Sequence, residues 1–389
     1  MTIYPIVFFC LLVLISQQGN QILVSLFALE LGADAFGVGV LISLYSVFPI
    51  FIAIYAGKVS DRFGARLPML FGSQGLALGL LFPYLFPRLS MLYITAPIIG
   101  LAHTLFHVSY LHLIGYIDDA DQRKRNFGIL SLGGSIANFF GPLFTGFLID
   151  NLGYISTYLC LLLNAIVSGF VLYFVSKRIT TVSKESKGHH KRSLVDLIKN
   201  ALLRRVLIIS GVVVAGVHLY SFYLPVYGYT IGLPASSIGI ILSAYAAATF
   251  VVRTIMSIRV KPYNEVTVLT LCLLIAGATF FMFPFSRNVL GLVLISFTLG
   301  VGLGCGQPLT IVMTYSRAPE GRSGEALGAR ITANRIAHTA VPLVFGFVGS
   351  NFGYTMVFWS ITFFLIVSGC INMYSEKLKA IKAISVRES

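Results

Sequence analysis

The sequence predicts an all-α polytopic membrane protein with twelve transmembrane helices in two pseudo-symmetric halves of six. Its 389 residues are 57% hydrophobic and only 11% charged, with a mean hydropathy of +0.87. Soluble proteins carry about 25% charged residues. The apolar runs are long and continuous, which favours helices over the alternating strands of a membrane barrel. In addition, the second half of the chain repeats the first.

A helix needs about 20 apolar residues to cross the hydrocarbon core of a bilayer. We number the twelve such stretches as spans 1 to 12. They are predicted at 4–30, 36–57, 67–87, 90–117, 127–150, 154–176, 204–230, 237–258, 264–284, 288–315, 326–350 and 354–375.

One long polar connection divides the chain. Four regions follow from it: an N-terminal six-helix bundle at 1–176, a cytoplasmic basic linker at 177–203, a C-terminal six-helix bundle at 204–376 and a cytoplasmic tail at 377–389.

The basic residues predict the orientation. If both termini are cytoplasmic, only Arg88 and Arg287 of the 28 basic residues fall outside, which is the positive-inside pattern of a cell (cytoplasmic or inner) membrane protein. The net charge of +14 therefore reflects topology. The lysines and arginines are scattered over several loops rather than gathered on one face, so no nucleic-acid partner is expected. The five cysteines show no paired spacing, and no metal site is predicted.

The two halves match at a constant offset of 200 residues. The segment GPLFTGFLIDNLGY from Gly141 corresponds to VPLVFGFVGSNFGY from Val341, and GVGVLISLY from Gly37 corresponds to SIGIILSAY from Ser237. Two parallel repeats of six spans are typical of transporters whose ligand binds between the halves near the middle of the membrane.

The loop between spans 2 and 3 reads GKVSDRFGARLP. It resembles the signature loop of the major facilitator superfamily, and Gly57, Asp61, Arg62, Gly64 and Arg66 fill that pattern. The resemblance implies that the Asp61 carboxylate meets the cytoplasmic start of span 11, near residues 324–327, and closes a cytoplasmic gate. A helix start favours an anion. The alternative is a topology anchor without a gating role.

Span 5 resembles the antiporter motif of the same family. Gly141, Pro142 and Gly146 match it, and Thr145 replaces one glycine. The resemblance implies export by antiport, while ordinary packing of small residues is the alternative. The arginine that the family places early in span 4 is Ala96 here, which counts against simple proton antiport.

Spans 1, 4, 7 and 10 line the central cavity in this family. Polar groups are costly in lipid, so their concentration in these spans predicts a ligand site, although each could instead bond a neighbouring helix. The candidate substrate residues are Gln17, Asn20, Gln21, His103, His107, His218, Tyr220 and Gln307, with Arg335 from span 11.

The middle of the membrane contains cations but no acids. Arg253 and Arg335 lie within spans, whereas every Asp and Glu lies at a span end or in a loop. An anionic, zwitterionic or neutral polar substrate is therefore expected. The candidates for proton coupling are His103 and His107, because histidine titrates near neutral pH. Glu30 and Asp61 are the second choices.

Enzyme classes are disfavoured. A membrane di-iron desaturase needs about eight histidines in characteristic boxes, and this chain has seven and no H-x-x-H-H box. No phosphate-binding glycine loop with lysine is present. We therefore expect a cofactor-free monomer in the bilayer, driven by a proton or ion gradient, that exports a small organic solute by alternating access. The alternatives are uptake of an organic anion by symport or facilitated diffusion, and a transporter-like receptor.

Overall fold

The computed structural model describes residues 4–115, 120–176, 201–258, 264–319 and 322–385. Apart from short turns and one 3-10 turn at Phe283–Phe285, these residues are α-helical. The helices run Tyr4–Glu30, Ala35–Phe63, Arg66–Leu85, Leu89–Gly115, Ala120–Ser176, Ala201–Thr230, Ala235–Ile258, Glu265–Met282, Val289–Gly304, Gly306–Arg317 and Ser323–Ser385.

The two longest helices each contain two spans. Gly153 and Gly353 have φ near +80°, a conformation that only glycine adopts readily, and each bends its helix sharply. In the described part of the chain, nine helical stretches are long and apolar enough to cross a membrane. Two of these are the bent pairs, and span 2 is described as a 29-residue helix, Ala35–Phe63. The prediction of twelve membrane helices is confirmed.

The repeat is visible in the backbone. The turn between spans 1 and 2 and the turn between spans 7 and 8 each contain a glycine of positive φ, Gly32 and Gly232. The backbone N–H of each glycine donates to the carbonyl oxygen three residues before it at 3.0 Å. Such identical turns at equivalent positions indicate that the two halves fold by the same local rules.

Large apolar side chains cover the outer surface of the spans. Phe71, Phe363 and Leu294 are each more than 60% exposed. A soluble protein rarely exposes so much contiguous apolar surface. These side chains are therefore the surface that contacts lipid.

Contacts group the chain into two compact units. The first contains Met1–His189, Phe222–Ser243 and Pro342–Phe347, and the second contains His190–Ser221, Ala244–Val341 and Val348–Ser389. In the first unit, span 1 packs on the bent helix of spans 5 and 6. There the Asn164 amide donates to the Leu12 carbonyl at 2.8 Å and to the Ser16 hydroxyl at 2.7 Å.

The core of the second unit is aromatic. Phe283 and Phe358 stack with ring centroids 5.0 Å apart, and Phe280 lies beside both rings. The Asn372 amide of span 12 donates to the Val266 carbonyl of span 9 at 3.2 Å. Buried amides of this kind hold helices together where lipid supplies no hydrogen bonds.

Candidate functional site

The polar face of span 1 divides into two groups. Asn20 is 1% exposed and donates from its amide nitrogen to the Tyr45 hydroxyl of span 2 at 3.0 Å. The Gln18 amide donates to the Asn138 side chain of span 5. Gln17 and Gln21 lie one turn apart and stay half-buried. Asn20 and Gln18 therefore connect helices, whereas Gln17 and Gln21 remain the better placed of the predicted substrate residues.

The histidines of span 4 form a short aromatic ladder. The ring centroids of His103 and His107 are 5.5 Å apart, and those of His107 and Tyr110 are 5.0 Å apart. Both histidines are half-buried, and Tyr110 is 7% exposed. One face of span 4 thus presents two adjacent titratable imidazoles, as the i, i+4 spacing predicts.

The predicted residues of span 7 occupy two different environments. Tyr220 is 1% exposed, and its ring is tilted against the Tyr245 ring with centroids 4.5 Å apart, inside the aromatic core. His218 is half-buried, and its ring centroid lies 3.5 Å from that of His338 in span 11. The burial of Tyr220 favours a packing role, while His218 and His338 form a close imidazole pair.

The imidazole pair has an equivalent in the first half. His218 corresponds to Gln18 and His338 to Asn138 under the 200-residue offset. Gln18 and Asn138 are also in side-chain contact. The sequence prediction did not include His338 among the substrate residues. The repeat could have identified His338, because it stands at the position of Asn138 in span 5, while its partner His218 stands at the position of Gln18 in span 1.

Span 10 is broken at Cys305. One helix ends at Gly304 and the next begins at Gly306. Proline has no N–H group, so Pro308 leaves the carbonyl four residues before it, at Gly304, without a helical donor. The Arg253 Nε atom of span 8 donates to that carbonyl at 3.2 Å. Arg253 thus compensates for the break.

A second arginine contacts the same break. The guanidinium of Arg330, which is 5% exposed, donates to the Thr310 hydroxyl at 3.0 Å and to the Gln307 carbonyl at 3.3 Å. Its buried Nε atom has no hydrogen-bond partner within the described ranges. The backbone of Gln307, another predicted substrate residue, is therefore held from span 11, while its side chain stays half-buried.

The structure describes side chains mainly in the second part of the signature loop. Positions Gly57, Asp61 and Arg62 lie outside the residues whose side chains are described, so the Asp61 gate stays a prediction. Gly64 ends span 2 with φ 73°. The Arg66 guanidinium lies 3.8 Å from the Tyr173 ring centroid, and its Nε donates to the Tyr173 carbonyl at 3.0 Å. Arg66 therefore joins the start of span 3 to the end of span 6.

The span 5 motif lies at close helix contacts. A Cβ atom on Gly141 would lie 2.7 Å from the Gln18 Cβ atom, and one on Gly146 would overlap the Ala235 carbonyl oxygen. The Pro142 carbonyl approaches Gly239 of span 8, where an added Cβ would lie 2.5 Å away. Small residues therefore allow span 5 to contact span 1 and span 8 directly.

The repeat makes the contact of spans 2 and 11 equivalent to that of spans 5 and 8. A Cβ atom on Gly39 would overlap the Pro342 carbonyl oxygen, and one on Gly346 would lie 2.9 Å from the Ala35 carbonyl oxygen. Three matching pairs, Gly39 with Gly239, Gly146 with Gly346 and Pro142 with Pro342, thus lie at these two contacts. Their function in the fold is to let two helix backbones touch.

Acidic side chains strengthen the predicted outer ends of these contacts. The Asp150 carboxylate accepts hydrogen bonds from the backbone N–H groups of Ala235 at 3.0 Å and Ser236 at 2.8 Å. Both groups belong to the first turn of span 8, where a carboxylate stabilises unpaired N–H groups. Glu30 accepts a hydrogen bond from the Tyr229 hydroxyl at 3.2 Å. Two acids from the first six spans therefore bind the ends of spans 7 and 8.

Metal binding has no support among the described residues. No group of three or more His, Cys, Asp or Glu side chains in them has the geometry to hold an ion.

Three comparisons with known proteins extend these observations. The chain is 21% identical over 336 residues to the uncharacterized MFS-type transporter YuxJ of Bacillus subtilis, covering 84% of this chain and 85% of that protein. It is 29% identical over 136 residues to the class B tetracycline resistance protein of Escherichia coli, covering 35% and 34%. A POT family transporter in complex with a thioalcohol-conjugated peptide has the same fold, with a TM-score of 0.80 and 14% identity over 96% of both chains.

The family follows from a match across most of the length. The family model described as Major Facilitator Superfamily matches residues 6–342, from the first span into the eleventh. This range contains the signature loop, the repeated helix contacts and the broken span 10. Twelve membrane helices in two equivalent halves agree with it. The chain therefore belongs to the Major Facilitator Superfamily of membrane transporters.

Proposed function

We propose that this transporter exports a small organic solute in exchange for protons, by alternating access. The observation that carries the direction is the packing of span 5, whose motif glycines lie at the contacts with spans 1 and 8. This pattern resembles the antiporter motif of the family. About one third of the chain is similar to a tetracycline resistance protein, and this similarity also supports export.

The proton-carrying groups are His103 and His107. Their rings are adjacent and half-buried in a span that lines the family's cavity. Imidazole changes its charge near neutral pH, so protonation of either ring alters the local charge within the physiological range. Glu30, which binds the Tyr229 hydroxyl, and Asp61 are the second choices.

The test is a solute screen in proteoliposomes with an imposed pH gradient. We expect an exported solute to move against its gradient only while the pH gradient is present, with matching proton flow reported by an internal pH dye. Transport at the same rate after the gradient is collapsed would overturn the proton coupling. His107→Gln is the informative variant, because glutamine stands at the equivalent position 307. It should reduce the proton flow that accompanies solute movement, because one of the two proposed proton carriers is lost.

Uptake of an organic anion, by symport or facilitated diffusion, is the second candidate. Arg335 of span 11 and the scarcity of acids in the second half favour an anionic solute. The same proteoliposomes with the gradient reversed distinguish uptake from export. Solute movement of either kind argues against a receptor without transport activity.

The proposed transporter works as a monomer in the cytoplasmic membrane, with both termini inside and without a bound cofactor. The basic residues of the loops support this orientation. Cysteine labelling of intact cells tests it. A cysteine at Arg88 should react with an impermeant maleimide, and a cysteine at Lys377 should react only after lysis.

A further inference from the structure

Besides Arg204 and Arg205 at the start of span 7, three arginines lie within spans of the second half, and Arg335 differs from the other two of these. Arg253 binds the Gly304 carbonyl, and Arg330 binds Thr310 and Gln307. Arg335 has no hydrogen-bond or ion-pair partner among the residues that the structure describes. It lies ten residues after Glu325, about 15 Å along the helix, which is near the middle of the membrane.

No acid of the second half is placed to neutralise Arg335. Residues 201–374 contain three acids, Glu265, Glu320 and Glu325, each at a span end or in a loop. Glu325 accepts a hydrogen bond from the Arg322 Nε atom at 2.9 Å. An arginine within a membrane span must be paired or face water. A bound anion would supply the counter-charge that no acid of the second half provides.

Hydrogen-bonding side chains adjoin Arg335 on span 11 and contact span 7. His338 follows it by one helical turn on the same face of span 11, and the His338 ring lies against the His218 ring of span 7. Asn334 accepts a hydrogen bond from the Ser210 hydroxyl at 3.0 Å, which keeps spans 7 and 11 together at this level. Spans 7 and 11 thus bring one cation and two imidazoles to the same place.

The equivalent place in the first half has no cation. Gln18 and Asn138 stand at the positions of His218 and His338, and Ser135 stands at the position of Arg335. The same helix-to-helix bridge is therefore formed there by neutral side chains. Packing of these spans does not require the arginine or the imidazoles. Because the arginine and the imidazoles occur in one half and not in the other, they indicate a ligand-binding role rather than a packing role.

We propose that Arg335, His218 and His338 form a subsite for the anionic group of the transported solute, a carboxylate or a phosphonate. Arginine suits this task because its planar guanidinium donates two parallel hydrogen bonds to such a group. The imidazoles supply further donors at its side. The inference rests on the proposed transport function in that it names the class of solute, while anion binding itself is measurable without transport.

The test measures binding to the purified full-length protein in lipid nanodiscs by calorimetry. The probes are benzoate and phenylphosphonate, with benzamide as the neutral match. The wild type should bind both anions. Arg335→Gln should bind them about ten- to a hundredfold more weakly, the range expected for hydrogen bonds to a charged group. Benzamide binding should be the same in both proteins.

Two further variants control for folding. Arg253→Gln removes an arginine that binds a backbone carbonyl, and it should bind the anions as the wild type does. The double variant His218→Gln, His338→Asn installs the amide pair of the first half. It should keep the melting temperature close to that of the wild type and lose anion affinity. Equal anion affinity in Arg335→Gln and the wild type, or no binding of either anion to the wild type, would overturn the subsite.

The subsite and the proposed function fail separately. If a solute is exported in exchange for protons and Arg335→Gln exports it equally well, the subsite is refuted and the proposed function stands. If the anions bind through Arg335 but no solute moves with the pH gradient, the subsite stands and proton-coupled export is refuted.

Discussion

Removing the Asp150 carboxylate should let the predicted outer ends of spans 5 and 8 separate. Its two oxygens accept the N–H groups of Ala235 and Ser236 at 3.0 and 2.8 Å. These groups have no partner within their own helix. Any state in which spans 5 and 8 part at this end loses both hydrogen bonds. The carboxylate therefore stabilises the contact state selectively.

The size of the effect follows from the exposure of Asp150. The side chain is exposed, so its contribution is that of a solvent-accessible helix cap, about 1 kcal/mol, and not that of a buried ion pair. Since 1.4 kcal/mol corresponds to a factor of ten, Asp150→Ala should raise the ratio of separated to contacting molecules about fivefold. A separated fraction of about 5% would then become about 20%.

The assay is a distance measurement by double electron–electron resonance. Nitroxide labels at Leu152→Cys, just after span 5, and Ile240→Cys in span 8, both exposed, report the separation in a variant without the native cysteines. Asp150→Ala should add a longer-distance population. Ser236→Ala is the matched control, because it keeps the backbone N–H that the carboxylate binds. Identical distance distributions in Asp150→Ala and Ser236→Ala would refute the reasoning.

Three other predictions concern stability, measured as the midpoint of thermal unfolding in detergent. Gly239→Ala should destabilise by about 1–3 kcal/mol, because the new methyl group meets a carbonyl of span 5, while Gly134→Ala, which has open space, should not. Arg253→Gln should cost about 1–2 kcal/mol. That cost should shrink in a Pro308→Ala background, where a backbone N–H becomes available to the same carbonyl, and an unchanged cost would contradict this account of the break. Arg66→Lys should destabilise by about 1 kcal/mol through loss of stacking on an aromatic ring, and no change would argue against that contact.

Hydrophobicity is a local property, and the span predictions depend on little else. The predicted start and end of span 1 coincide with the observed helix, Tyr4–Glu30. The end of span 2 was placed at residue 57, but the helix continues to Phe63. The prediction stopped at the first polar residues, whereas the helix stops at Gly64, whose positive φ ends it. The prediction therefore located the apolar part of span 2 correctly but did not include the polar residues through which its helix continues.

The candidate site was predictable to a smaller extent. The polar residues of spans 1, 4, 7 and 10 were identified, and the repeat related the two halves. Helical periodicity placed Gln17, Asn20 and Gln21 on one face, yet Asn20 is engaged with Tyr45 and is almost completely buried. A side chain's partner on another helix is not a property of its own helix, so periodicity alone could not separate Asn20 from Gln17.

Composition, length and residue patterns were enough to predict the class, the number of spans, the two equivalent halves and the family. Which polar groups bond one another depends on helix packing and is visible in the fold alone. Pro308 is visible in the sequence as a helix breaker, but Arg253, which binds the carbonyl it frees, is brought there by packing of spans 8 and 10. In the same way, packing of spans 7 and 11 joins His218 to His338. In lipid every polar group needs a partner within the protein or in water, and helix packing selects that partner.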